Sequence, residues 1–333
     1  MLKTALLGAG RIGQVHAENM SQPGLSELVA IADVHAPAAE ELASRHGAEA
    51  RTVDEILADA SIDAVLVATS TDTHSDLIER AVDAGKAVLC EKPVDLSLAR
   101  AQQSLQHVRS SGKPVMIGFN RRFDPNFAAL KQAFDTGEIG KGEMLAITSF
   151  DPAPPPVEYV KVSGGLFRDM MIHDFDIACW IMGGAPEVVS AMGSAIVDAA
   201  IGAAGDVDTA AVTMTWSDGR IAVIRNSRRA VYGYDQRIEL LGAEGLLQAE
   251  NMVDNTLRKS TVDGVQSAKP LYFFLERYMP AYRIEWRAFV DALAGGNSMP
   301  VSMEEGVTAL AVAEAATRSH QSGERVMMKD VMA

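Results

Sequence analysis

Residues 2–13 read LKTALLGAGRIG, and this stretch predicts both a fold and a ligand. A short apolar run ending at Leu7 suits a buried strand. It breaks into G-x-G-x-x-G at Gly8, Gly10 and Gly13, with a helix opening near Arg11. In such a turn the first glycine allows the tight bend and the second lets the main chain approach a pyrophosphate. The third lets helix and strand pack closely. The N–H groups around Arg11, Ile12 and Gly13 then face the phosphates, where the helix dipole favours negative charge. A glycine triplet alone also fits a phosphate-free turn in an ordinary α/β domain. Its setting argues for the dinucleotide, because a second apolar run, Leu28–Ala32, ends in Asp33, 20 residues beyond Gly13. An acid there accepts hydrogen bonds from the adenosine ribose hydroxyls and repels a 2′-phosphate, so Asp33 predicts NAD rather than NADP. The competing assignments are a solvated loop acid for Asp33 and a phosphate contact for Arg11.

Composition narrows the function class. The 333 residues suit about two domains, and 48% hydrophobic content supports substantial cores. A net charge of −14 argues against nucleic acid and anionic membranes as partners. No apolar run nears the roughly 18 residues of a transmembrane helix. Two cysteines, Cys90 and Cys179, make no disulfide framework and read as buried free thiols. With no signal peptide visible, a reduced, cytoplasmic setting is expected.

Outward from the glycine turn, strand and helix signals alternate. Apolar runs at Lys3–Leu7, Glu27–Ala32, Ala64–Ala68, Ala87–Cys90 and Val115–Phe119 enclose helical spacings at Ala36–His46, Val53–Ala58, Thr73–Ala84 and Leu96–Ser110. The alternation predicts a doubly wound parallel sheet, with Gly47, Gly85 and Gly112 as helix stops. After Asn120 the texture changes. A helix is expected at Asn126–Thr136, a strand at Glu143–Phe150, a rigid loop at Pro152–Pro156 and a helix at Arg168–Met182. Strand-like runs follow at Glu187–Ile196, Ala210–Trp216, Ile221–Ser227, Arg237–Leu241 and Gly245–Glu250, then helices around Tyr282–Ala294 and Glu304–Ser322. This predicts an α/β chain: residues 1–120 as a nucleotide-binding domain, and 121–333 as an α+β domain on a mainly antiparallel sheet.

Two constellations carry chemistry. Glu91–Lys92–Pro93 follows the run Ala87–Cys90, and ligands of doubly wound sheets sit beyond the carboxyl ends of the strands. Lys92 there is a cation able to bind a substrate hydroxyl and steady developing negative charge; the alternative is a surface lysine before a loop proline. The second constellation is GGLFRDMMIHDFDIACWIMGG, residues 164–184. Asp169 and His173, spaced i, i+4, share one face of a helix, and a carboxylate beside an imidazole makes a tunable acid–base unit. A satisfied structural network competes with this reading. So does a metal held by Asp169, His173 and Asp176, although the spacing matches no close zinc pattern and hydride transfer to a nicotinamide requires no metal.

GAGRIG at the N-terminus, E-K-P at Glu91–Pro93 and D-x-x-x-H at Asp169–His173 together resemble the glucose–fructose oxidoreductase and inositol dehydrogenase family. The segments GLFRDMMIHDFD, SRRAVYGYDQRIELLGAEG and FFLERYMPAYRIEW extend the likeness over essentially the whole chain. The resemblance implies a Rossmann domain with NAD, followed by a domain whose open sheet commonly mediates a homotetramer. It implies Lys92, Asp169 and His173 as catalytic residues and a small polyol as substrate. Myo-inositol, oxidised at its axial hydroxyl, leads that expectation, with another inositol isomer or a pyranose sugar as alternative. Thr69, Ser70, His74 and Glu91 join the glycine turn as candidate cofactor contacts, although Thr73 there also suits a helix cap. Asn120, Arg121, Asp151, Tyr232 and Gln236 are candidate substrate contacts; each also suits a packing or surface role. A nucleotide-sensing regulator without catalysis is the rival from another class.

Overall fold

The computed structural model describes residues 1–332. The first part of the chain runs β1 (Leu2–Leu7), α1 (Arg11–Met20), β2 (Ser26–Ala32), α2 (Ala36–His46), β3 (Glu49–Ala50), α3 (Val53–Ala58), β4 (Ala64–Val67), α4 (His74–Asp83), β5 (Ala87–Glu91), α5 (Leu98–Ser111) and β6 (Val115–Gly118). The strands form a six-stranded, all-parallel sheet in the order β3-β2-β1-β4-β5-β6. Both faces are covered, which is why β4 and β5 read as unbroken apolar runs rather than alternating ones. The order reverses between β1 and β4, the place where sheets of this winding open a crevice for ligands. Gly47 and Gly112 cap α2 and α5 in the left-handed region, with φ of 67° and 65°.

The remainder runs α6 (Pro125–Asp135), β7 (Gly142–Phe150), α7 (Val157–Ser163), α8 (Gly165–Asp169), α9 (Ile172–Met182), β8 (Val188–Ser194), α10 (Ala199–Ala203), β9 (Thr209–Thr215), β10 (Ile221–Ser227), β11 (Asp235–Gly242) and β12 (Gly245–Ala249). It closes with the hairpin β13 (Arg258–Thr261) and β14 (Gly264–Ser267), then α11 (Phe274–Gly295), α12 (Met303–Ser322), β15 (Val326–Met327) and α13 (Lys329–Met332). Seven strands form a second sheet, β12-β11-β7-β10-β9-β8-β15, antiparallel except for the parallel pair β7 and β10. Burial alternates with period two along β9 and β10, so one face is packed and the other is open.

The contacts divide the chain into two compact units. Met1–Phe123 groups with Pro280–Leu310, and Asp124–Met279 groups with the stretch from Ala311 onward. The chain thus returns to the first unit late, a crossing that a single division at residue 120 does not contain. Trp286, 1% exposed, donates from its indole to Ser26 Oγ at 3.1 Å. The main chain at Val301–Ser302 runs beside β6, taking the Ile117 N–H on the Val301 carbonyl. It protects what would otherwise be a bare sheet edge.

Two expected elements differ. The helix expected at Arg168–Met182 is two helices, α8 and α9, meeting at Met170 and Met171. The Met170 and Met171 N–H groups both donate to the Leu166 carbonyl, at 3.1 and 2.9 Å. The second bond reaches five residues back and widens the turn between Asp169 and His173. The helix expected from Tyr282 begins eight residues earlier, at Phe274, and runs through Pro280. Among the described residues no helix is long and apolar enough to cross a membrane. Both cysteines are buried and form no disulfide.

Candidate active site

In the first unit the glycine turn is built by contact. Gly8 has φ of +109°, and a Cβ there would lie 2.4 Å from the Ala68 carbonyl oxygen, just past the neighbouring strand β4. A Cβ on Gly13 would lie 2.0 Å from the Gly8 carbonyl oxygen. A Cβ on Gly10 would meet nothing within 4 Å. The first and third glycines are therefore demanded by the protein itself, and the second leaves open space at the start of α1. No side chain caps this helix, so its first N–H groups, at Arg11, Ile12 and Gly13, point into that space. The residues present fit a dinucleotide.

Asp33 stands just past β2. Its Oδ2 accepts the Ala9 N–H at 2.7 Å and its Oδ1 accepts the His35 N–H at 2.8 Å. The carboxylate therefore ties the glycine turn to its own strand, and each oxygen keeps a further lone pair for a ribose hydroxyl. Thr69 and Ser70 follow β4, beside that turn. Thr69 Oγ1 pairs with Thr73 Oγ1 at 2.7 Å, and Thr73 Oγ1 also donates to the Ser70 carbonyl. Thr73 stands at the helix start without a side-chain cap bond.

His74, the other candidate on this edge, is held by the main chain. It is 1% exposed, with Nδ1 2.8 Å from the Pro93 carbonyl oxygen and Nε2 3.2 Å from that of Thr69. Both ring nitrogens face main-chain oxygens, and a neutral imidazole donates to one of them. Burial pushes its pKa below the usual histidine value, against the pull of those carbonyls.

Glu91 and Lys92 stand at the end of β5, and Asn120 and Arg121 in the turn after β6, along the same carboxyl edge. Glu91 Oε1 meets His16 Nε2 at 2.7 Å. His16, on α1, is buried and packs edge-on against Tyr282. Asn120 and Arg121 are buried, at 2% and 4% exposure. The Lys92–Pro93 peptide is cis.

In the second unit the candidates gather at the carboxyl ends of the parallel strands β7 and β10. Asp151, just past β7, donates its N–H to the Ser227 carbonyl at 2.9 Å and accepts the Ala230 N–H at 2.7 Å. Arg228, just past β10, is 2% exposed and brings Nη2 to 3.5 Å from Asp169 Oδ2. Tyr159 on α7 donates its hydroxyl to Asp169 Oδ1 at 2.8 Å. From Leu166 to Met182 only Arg168, Asp169, His173 and Trp180 escape burial. The acid–base candidates are thus the partly open positions of an otherwise packed segment.

A buried polar row crosses the sheet below them. Asn226, Ser149 and Gln236 are neighbours in register on β10, β7 and β11. Ser149 Oγ donates to Gln236 Oε1 at 2.9 Å, and Asn226 Nδ2 donates to Asp174 Oδ2 at 2.8 Å. Gln236 is 1% exposed and holds a structural tie in this row. Tyr232 is half-open and donates to Asp235 Oδ2 at 2.7 Å. Burial, with the Asp235 carboxylate, pushes its pKa up to about 12. Sequence reading missed Arg228, Tyr159, Ser149, Asn226 and His16. Arg228 lay inside a quoted segment, but nothing local marks a buried guanidinium. Among the described residues no group of three or more His, Cys, Asp and Glu side chains could hold a metal ion.

A glycine turn at the switch point of a doubly wound sheet, followed by a separate mixed-sheet unit that carries the candidate residues Asp169 and His173, defines the class of a nucleotide-dependent dehydrogenase. Comparison with known families agrees. The model described as "Oxidoreductase family, NAD-binding Rossmann fold" matches residues 2–119, and the "GFO/IDH/MocA C-terminal domain" matches residues 127–248. An inositol 2-dehydrogenase of Rhizobium meliloti is 49% identical over 319 residues, 96% of each chain. A myo-inositol 2-dehydrogenase of Thermotoga maritima is 44% identical over 333 residues, covering 99% of this chain and all of that one. The crystal structure of a scyllo-inositol dehydrogenase from Lactobacillus casei, with bound NAD(H) and scyllo-inositol, superposes with a TM-score of 0.91 at 28% identity, over 99% and 98% of the two chains. The chain belongs to the GFO/IDH/MocA family of NAD-binding oxidoreductases.

Proposed function

We propose that this chain is an NAD-dependent dehydrogenase that oxidises myo-inositol at its axial hydroxyl to 2-keto-myo-inositol. The observation that carries this reading is the junction of α8 and α9, where Asp169 and His173 are partly exposed within a buried segment. The relatives of 49% and 44% identity, named for inositol and myo-inositol, support the substrate.

In this reaction His173 removes the hydroxyl proton as general base. Asp169 orients the imidazole and supports its positive charge. Lys92 donates a hydrogen bond to the substrate oxygen and stabilises its alkoxide character. The turn Gly8–Gly13 and Asp33 hold the adenosine diphosphate half of NAD, with Thr69, Ser70 and Glu91 nearby. NAD, when bound, supplies the hydride acceptor. Asn120, Arg121, Asp151, Tyr232 and Gln236 serve the ring hydroxyls, directly or by holding the groups that do. The same reading makes the first unit the cofactor domain and the second the substrate and assembly domain of a cytoplasmic homotetramer in inositol catabolism.

A panel of inositols and pyranose sugars, followed by NADH absorbance with NAD and with NADP, tests the reading. Myo-inositol with NAD is expected to give the highest kcat/KM. The structure holding scyllo-inositol favours that isomer as the second reading, and a higher kcat/KM for it would transfer the assignment. Cofactor binding with no turnover across the panel would point to a nucleotide-sensing protein. His173→Ala should lower kcat by about 10²–10⁴ while NAD affinity is kept; wild-type turnover in that variant would remove His173 from the mechanism.

A further inference from the structure

The carboxylate of Asp169 is gripped at both oxygens. The Tyr159 hydroxyl donates to Oδ1 at 2.8 Å, and Arg228 Nη2 stands 3.5 Å from Oδ2. We propose that Tyr159 is a positioning residue for Asp169, fixing with Arg228 the plane in which the carboxylate is presented to the acid–base site. This rests on the reading of Asp169 and His173 given above.

The terminal torsion of an aspartate is broad and soft, so one contact leaves the carboxylate free to swing. Two partners on different oxygens remove that freedom. Arg228 cannot do this alone, because it is buried at 2% exposure and its Nε and Nη2 make no hydrogen bonds. Its contribution is charge at 3.5 Å rather than a directed bond. Tyr159 supplies the direction. The residue is 47% exposed and the bond lies at the surface, so water would satisfy the hydroxyl without Asp169. Burial therefore does not demand this bond, and its benefit falls on the acid.

The local chain is shaped to deliver the bond. Three successive prolines, Pro154–Pro156, fix the entry to α7, and Tyr159 is the third residue of that helix. Gly164 and Gly165, with φ of 87° and 80°, then fold the chain back. Asp169 thereby meets a residue ten positions earlier.

Tyr159→Phe removes only the hydroxyl and is the test, with Asp169→Asn beside it. For Tyr159→Phe we expect kcat to fall roughly ten-fold, as for the loss of a hydrogen bond to a charged group, with KM for NAD unchanged. A carboxylate freed of its donor favours a neighbouring imidazolium more strongly. The pH at which kcat/KM reaches half its plateau should therefore rise by about half a pH unit. The melting temperature should stay within about 2 °C of wild type, because the ring remains. If Asp169→Asn is inactive while Tyr159→Phe keeps the wild-type kcat and pH profile, the proposal is overturned and the acid–base reading stands. A fall in kcat with an unmoved pH profile also overturns it, since a merely structural role gives that result. Full turnover by Asp169→Asn would remove the acid–base reading itself.

Discussion

His74 shows a residue of catalytic type taken up by packing. Its two ring nitrogens face the Pro93 and Thr69 carbonyls, and burial holds its pKa below 6.5. The unfolded chain takes up a proton near 6.5, and the folded chain only at lower pH. The stability His74 contributes is therefore complete above about pH 6.5 and is lost as pH falls below it, by at most about 1.4 kcal/mol per pH unit. Melting temperatures measured from pH 7.5 to 5.5 should fall more steeply for wild type than for His74→Gln. Parallel curves would show that this imidazole titrates alike in both states. The sequence put His74 at the right edge of the sheet but could not show the Pro93 carbonyl, 19 residues downstream, that takes it. Arg228 and Tyr159 were hidden for the same reason. Their roles exist only through Asp169, which lies 59 and 10 residues away.

At the scale of elements the glycine turn separates two demands that sequence alone merges. Gly13 has a main-chain oxygen 2.0 Å from where a Cβ would stand, and Gly10 has nothing within 4 Å. Gly13→Ala should therefore lower stability by about 1–3 kcal/mol, the usual cost of overpacking, seen as an earlier denaturant midpoint. Gly10→Ala should melt like wild type yet lose NAD affinity, measured by calorimetry, because its methyl group enters the space kept for the pyrophosphate. Equal NAD affinity in wild type and Gly10→Ala would contradict that use of the space. Most strands were legible because apolar runs and period-two burial are local signals. The break between α8 and α9 was not, since Arg168–Met182 keeps helical spacing throughout and the widened turn depends on the Leu166 carbonyl accepting twice. The hairpin β13–β14 also escaped, because every residue in it is exposed and no alternation marks it.

At the scale of the molecule the open face of the seven-stranded sheet offers a surface for self-association. Leu246, Leu241, Met144 and Ile221 lie in register on β12, β11, β7 and β10, an apolar row across four strands. Three of them are more than 40% exposed. Such a row on a sheet face suits a self-complementary contact. Sedimentation at micromolar concentration should give a tetramer, and the paired change Met144→Lys with Leu241→Lys should release smaller species. A wild-type monomer would exclude this surface as the joint.

The late return of Pro280–Leu310 has a practical consequence for anyone dissecting this enzyme. A gene fragment ending at Phe123 would encode every strand of the six-stranded sheet and the whole glycine turn, yet leave Ser26 without its indole and Ile117 without its main-chain neighbour. A soluble cofactor-binding minidomain would have to splice the two stretches through an artificial linker.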